Sequence, residues 1–237
     1  MSKIDAQKGD LLVELFSEEI PARLQVGSGE QLENLFVKKL VSREVSFVSC
    51  KTFTGPRHLA IIIRDIDLVQ KDQLVEKRGP RLGSDEKAIN GFLKSNNISL
   101  SDTIVKKTNN GDFYFYSQNI VGENTAKILP DIINEIIFDF VWSKSQRWAY
   151  SDLKWARPLR NILILLNDEP VDGKIKIGKN TFLNFTNFSF GHRHHNQKII
   201  VKSINQYEGL LKTNNVLIDR ETRKNKILSD IDLLLNN

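Results

Sequence analysis

The chain has 237 residues, with 34 Lys and Arg against 29 Asp and Glu, a net charge of +5, and 40% hydrophobic residues. That balance excludes global disorder, and apolar runs of strand length exclude a spanning helix of about 18 residues or more. A polar start argues against a secretory signal, and one cysteine, Cys50, excludes an intramolecular disulfide and a cysteine zinc site, so a reducing, cytoplasmic setting without a membrane is expected.

The predicted elements alternate between strand and helix. Residues 11–16 read as a short buried strand, followed by Ser17-Glu18-Glu19-Ile20-Pro21, whose acidic pair suits a turn or a helix start. Leu32, Leu35, Phe36 and Leu40 predict an amphipathic helix over 29–42. Residues 45–53 and 59–66 read as strands around Thr54-Gly55-Pro56-Arg57-His58, and 69–77 as a third strand before a break at 78–83. Ser84 is placed to cap a helix running to Asn96. A hairpin follows, with strands 103–108 and 113–120 flanking Asn109-Asn110-Gly111-Asp112. Residues 124–142 give the longest helical stripe, with Pro130 moving the expected start toward Leu129. Residues 161–166 and 174–177 read as strands. Phe182, Phe185, Phe188 and Phe190 are compatible with strand or loop. A short helix over 203–211, a strand over 216–218 and a helix capped by Asp219 and running to Leu235 complete the chain. The class is α+β, a mixed or antiparallel sheet with packed helices. The expected organisation is a disordered start over 1–10, one α+β domain over 11–200 and a helical extension over 201–237. The last helix ends without a stop signal, which suggests a fragment of something longer.

The positive charge is clustered. Residues 51–81 carry net +3 and residues 141–200 net +6, while 1–50 and 82–140 are acidic. Gln146-Arg147-Trp148 and Trp155-Ala156-Arg157-Pro158-Leu159-Arg160 interleave indoles with guanidinium groups, which suits base stacking and phosphate attraction. Core packing of both tryptophans explains the same pattern. Gly191-His192-Arg193-His194-His195 would place two histidines on one strand face, but it lacks a nearby acidic third ligand and holds an arginine between the histidines. No phosphate-binding glycine loop is present. Cys50 suits core packing more than nucleophilic chemistry, and the pairs Glu18-Glu19 and Asp168-Glu169 read as turn or cap residues.

Seven segments occur in order: LLVELFSEEIPARL at 11–24, FTGPRHLAIII at 53–63, EKRGPRLG at 76–83, AINGFLKSNNI at 88–98, QRWAYSDLKWARPLRNILILL at 146–166, GHRHH at 191–195 and VLIDRETRKNKI at 216–227. Together they resemble the N-terminal part of the β subunit of bacterial two-subunit glycyl-tRNA synthetase. The resemblance implies a B3/4-like domain, similar to that of phenylalanyl-tRNA synthetase β chains. It also implies a non-catalytic role in an α2β2 ligase, with glycine tRNA and the α subunit as partners. No cofactor is expected in this chain, since ATP with magnesium is used by the α subunit. Three motifs depart from the family pattern: Ser145-Gln146 before Arg147-Trp148, Trp155-Ala156 before Arg157-Pro158, and His194 where an aromatic is common. The candidate RNA-contacting residues are Arg57, Arg78, Arg81, Arg147, Trp148, Trp155, Arg157, Arg160, His192 and Arg193, with no catalytic or metal-binding residue expected. Two alternatives stand beside this reading: a free-standing RNA-binding module, and a metal hydrolase built on His192 and His194.

Overall fold

The structure is a computed structural model that describes residues 7–108, 110–195 and 197–236. The expected disorder over residues 1–6 and the turn residue Asn109 lie outside these. The chain divides into two compact units, one running to Val69 and resuming at Glu123, the other spanning Gln70–Gly122. The second unit thus interrupts the stretch expected to form one domain.

The larger unit is built on a mixed sheet. Strand β1, Lys8–Ser17, pairs antiparallel with β3, His58–Asp67, and with β7, Leu159–Leu166. Strand β2, Ser49–Thr54, extends β3, and the two-residue β8, Glu169–Pro170, pairs with β7. Beyond β7 lie β10, Phe182–Thr186, in parallel register, and β9, Lys174–Lys176. Residues 8–10, expected to be disordered, are therefore already strand.

Every residue of β1 from Leu11 to Ser17 is buried, because both sheet faces are covered. Leu11, Val13 and Leu15 pack under two helices, α1 (Ala22–Val41) and α3 (Thr125–Asp139), with Leu32, Phe36, Leu129, Ile132 and Ile136. Leu12 faces the other side with Ile62, Leu163, Ile199, Tyr207 and Leu211. That side is closed by the hairpin β11 (Phe188–Phe190) and β12 (Lys198–Ile200), and by α4 (Tyr207–Thr213). Residues assigned to a helical extension thus complete the core. Helix α5, Arg220–Leu235, has no buried side chain, and Ile227, Leu234 and Leu235 are exposed on it.

Several boundaries differ from the sequence reading. Helix α1 begins at Ala22, not 29; Gly27 and Gly29 weaken the helical signal there. Gly29 is required by close approach, since an added Cβ would lie 2.8 Å from Thr54 Cγ2. Helix α3 starts at Thr125, capped by the Asn124 side chain accepting from Ala126 N at 2.8 Å, and carries Pro130 inside. The apolar stripe around Pro130 outweighs the lost hydrogen bond, a cost of about 3 kcal/mol. Residues 216–218 form a loop, and the phenylalanines of 182–190 lie on strands β10 and β11.

Ion pairs tie α1 to α3. Lys39 lies 3.0 Å from Glu135 and 2.6 Å from Asp139, and Arg43 also pairs with Glu135. Lys39 and then Arg43 hold the Glu135 carboxyl below its ordinary 4.5. A depressed carboxyl contributes stability that is complete above the ordinary value and is lost as pH falls through the folded one. Acidification below about 4.5 is therefore expected to weaken the parent more steeply than Glu135→Gln, as measured by urea midpoints across pH. Parallel acid limbs for the two proteins would show the pair to be inert.

The second unit is a three-stranded antiparallel sheet in the order β4 (Gln73–Arg81), β6 (Gly111–Ile120), β5 (Thr103–Thr108), with helix α2 (Glu86–Asn96). Of the predicted break at 78–83, residues 78–81 are strand and 82–83 a turn. A register shift between Arg78 and Arg81 absorbs Gly79 and Pro80, and proline is tolerated because β4 is an edge. Asp85, not Ser84, caps α2 by accepting from Ala88 N at 2.8 Å. The helix covers one sheet face: Lys77 donates to Asn96 at 3.0 Å, and Phe92 fills the space beside Gly79. The alternate residues of the strands, Arg78, Phe113 and Phe115 among them, belong to the other face. Among the described residues of this unit none is buried.

Candidate functional site

Strand β1 carries one ionisable group into the core. Glu14 is 0% exposed, and each polar contact to it comes from a different element. His58 of β3 contacts it through Nδ1 at 2.9 Å, Ser189 of β11 donates to both carboxylate oxygens at 2.8 Å, and the Tyr207 hydroxyl of α4 donates to Oε2. A buried carboxylate is tolerated only when hydrogen-bonded, and here three side chains meet it. Burial, and then the Glu14 charge, push the Tyr207 hydroxyl well above its ordinary value, so it stays a donor. An ionised carboxylate only accepts, so toward it His58 donates from Nδ1, and Nε2 is the ring nitrogen that makes no contact with Glu14. Nε2 has no hydrogen-bond partner among the described residues.

His58 lines a cavity of about 440 Å³. Its wall is formed by Arg57 and Pro56 from the β2–β3 turn, by Gly191, His192, Arg193 and His194 after β11, and by residues 215–217 before α5. Arg57 lies 4.6 Å from the Phe16 ring, which also meets His58 edge-on at 4.9 Å. Arg223 of α5 donates to the carbonyls of Leu217, Ile218 and Thr54, and so holds the 215–218 loop against the sheet.

The acidic pair following β1 has a different role from capping. Helix α1 has Pro21 at its N-cap and no side-chain cap. Glu18 instead meets Arg57 at 3.3 Å and Arg160 at 3.6 Å, and Glu19 meets Arg193 at 2.5 Å. Three arginines face two carboxylates, so the rim keeps a positive excess while its guanidinium groups are held in place.

The predicted RNA-contacting residues do not form one surface. Arg57, His192 and Arg193 line the cavity, and Arg160 joins them through Glu18. Arg147 is exposed in the 140–158 segment without a partner among the described residues. Arg157 turns back to the Ala156 carbonyl at 2.8 Å. Trp148 is half-buried against the core. Trp155 is 0% exposed, packed on Phe140 at 5.0 Å and Trp142 at 5.1 Å, so it is a core anchor and no stacking surface for a base. Arg78 and Arg81 belong to the second unit.

His192 and His194 sit in a turn, not on a strand, with ring centroids 5.1 Å apart. Among the described residues no three His, Cys, Asp or Glu side chains are grouped to hold a metal ion. Burial, followed by Glu33, pushes the Cys50 thiol up to about 11, which keeps it protonated and poorly nucleophilic. No described helix is long and apolar enough to cross a membrane.

Sequence reasoning missed Glu14, Ser189, Tyr207 and Arg223. The one available signal was an acid standing alone within the apolar run 11–16; the donors come from segments far along the chain.

Comparison with known proteins covers almost the whole chain. The glycyl-tRNA synthetase beta subunit family matches residues 11–237. The glycine–tRNA ligase beta subunit of Rhodospirillum centenum is 34% identical over 93% of this chain and 34% of its own length. That of Rickettsia felis is 34% identical over 96% and 34%, and that of Rickettsia prowazekii 36% over 91% and 32%. The chain thus spans about a third of the length of these curated relatives. Every motif that carried the resemblance falls inside the matched region, from the strand bearing Glu14 to the helix bearing Arg223, and the chain belongs to the glycyl-tRNA synthetase beta subunit family.

Proposed function

We propose that this chain serves as a β-subunit portion of a glycine–tRNA ligase, supporting binding of glycine tRNA and assembly with the α subunit for ATP-dependent charging in the cytoplasm. The observation that carries the reading is the unbroken family match over 11–237. ATP with magnesium then acts in the α subunit of an α2β2 assembly, and this chain supplies no adenylate chemistry. On the same family ground, the larger unit is assigned a B3/4-like fold. The arginine-lined cavity supports the RNA part of the reading: Arg57, Arg160 and Arg193 attract phosphate, while His58 and His192 offer ring nitrogens to a polar group.

Two measurements test this. Glycine-dependent ATP–pyrophosphate exchange by the chain alone is expected to be absent, and its appearance would remove the non-catalytic role. Titration with the family's α subunit is expected to give a stable complex. If none forms while tRNA still binds, the chain is a free-standing RNA-binding module.

A further inference from the structure

We propose that the helix-free face of the β4–β6–β5 sheet is a stacking platform for unpaired RNA, with Phe113 and Phe115 as its aromatic centre. The inference rests on the RNA-binding reading above and assigns it a second site. Phe113 and Phe115 are two residues apart on the central strand, so both rings project from the face opposite α2. Each is paired with a cation. The Arg78 guanidinium lies 3.5 Å from the Phe113 ring centroid, and Lys106 Nζ lies 5.6 Å from that of Phe115. Arg81 stands on the same face, its guanidinium against Gly111.

This arrangement favours a polyanion with planar bases over a protein surface. Among the described residues of the three strands, Arg78, Arg81 and Lys106 share this face with one acid, Glu76, which is already engaged by Lys106. A guanidinium lying on an aromatic ring presents its second plane outward, and bases stack on such planes as they do on aromatic rings. The backbone phosphates of an unpaired strand then fall near the cations along β4 and β5, a sequence-tolerant mode of binding. An A-form duplex keeps its bases stacked inside and offers this face only phosphate.

The test uses the 237-residue chain, a labelled eight-nucleotide unpaired oligoribonucleotide, an RNA duplex of equal charge and a glycine tRNA transcript. Phe113→Leu and Phe115→Leu keep apolar bulk at half-buried positions, and thermal melting checks that each variant is folded. Each is expected to weaken oligomer binding by about fivefold or more, with the salt slope unchanged. Arg78→Ala is expected to lower that slope by about 0.7. The duplex should bind less tightly than the oligomer and respond little to the leucine changes. If folded leucine variants keep parent affinity for the oligomer, the platform is refuted. If, in addition, Arg57→Ala and Arg193→Ala weaken tRNA binding, the RNA reading survives through the cavity alone. Leucine variants that lose only the α-subunit complex would make the face a protein interface and overturn the inference. A parent chain that binds none of the three RNAs refutes both.

Discussion

Glu14→Ala is expected to lower the unfolding free energy by about 3–5 kcal/mol, the cost of removing one partner from a buried charged network. The substitution strands donors on His58, Ser189 and Tyr207 in a region where Glu14 itself is 0% exposed. It also leaves a cavity beside Leu12 and Leu163. Glu14→Gln keeps the volume but turns an amide N–H toward groups that donate, so a loss of about 1–3 kcal/mol is expected. Urea unfolding with unchanged slope reads both values. A loss under about 1 kcal/mol for the alanine variant would show that the three donors find other partners and that the network does not hold the sheet to β11 and α4.

The second large effect separates core from surface among the tryptophans. Trp155→Ala is expected to cost about 3–5 kcal/mol of stability, because the ring is fully buried against Phe140 and Trp142. Its indole Nε1 has no hydrogen-bond partner among the described residues, so Trp155→Phe removes an unpaired buried donor together with some packing, and should cost much less. RNA affinity of the folded protein should be the same for parent and Trp155→Phe. Weaker RNA binding by a folded Trp155→Phe chain would return this residue to the nucleic-acid surface.

The elements legible in the sequence are those whose signal is local. Asp219 caps the last helix by accepting from Thr222 N at 2.8 Å, and the strand pair 103–108 and 111–120 is marked by its turn residues and alternation. Boundaries went astray where a distant contact reverses a local preference. Gly29 weakens α1 by propensity, yet the close approach of Thr54 requires it. Gly79 and Pro80 look like a stop, yet an edge strand with a register shift takes them in. The site was legible by half. Arg57, His192 and Arg193 were visible as charge beside a turn or in a histidine cluster. Glu14 was not, because its meaning depends on residues 44, 175 and 193 positions away. The composition of 146–160 could not separate Trp148 from Trp155, since aromatic and basic residues recur in cores under loops as well as on RNA surfaces.

The shallow packing of Gln70–Gly122 sets its rate of breathing. With no described residue buried there, little apolar area is lost when its strands separate, so its amides should exchange with solvent through subglobal openings far below the free energy of β1, β3 and β7. An RNA strand seated on Phe113 and Phe115 would close those openings by mass action, adding about 2.7 kcal/mol of protection at a hundredfold excess over its dissociation constant. Amide exchange of β4, β5 and β6 would then slow selectively while the larger sheet keeps its own pace, making this small unit the part of the chain whose order reports occupancy.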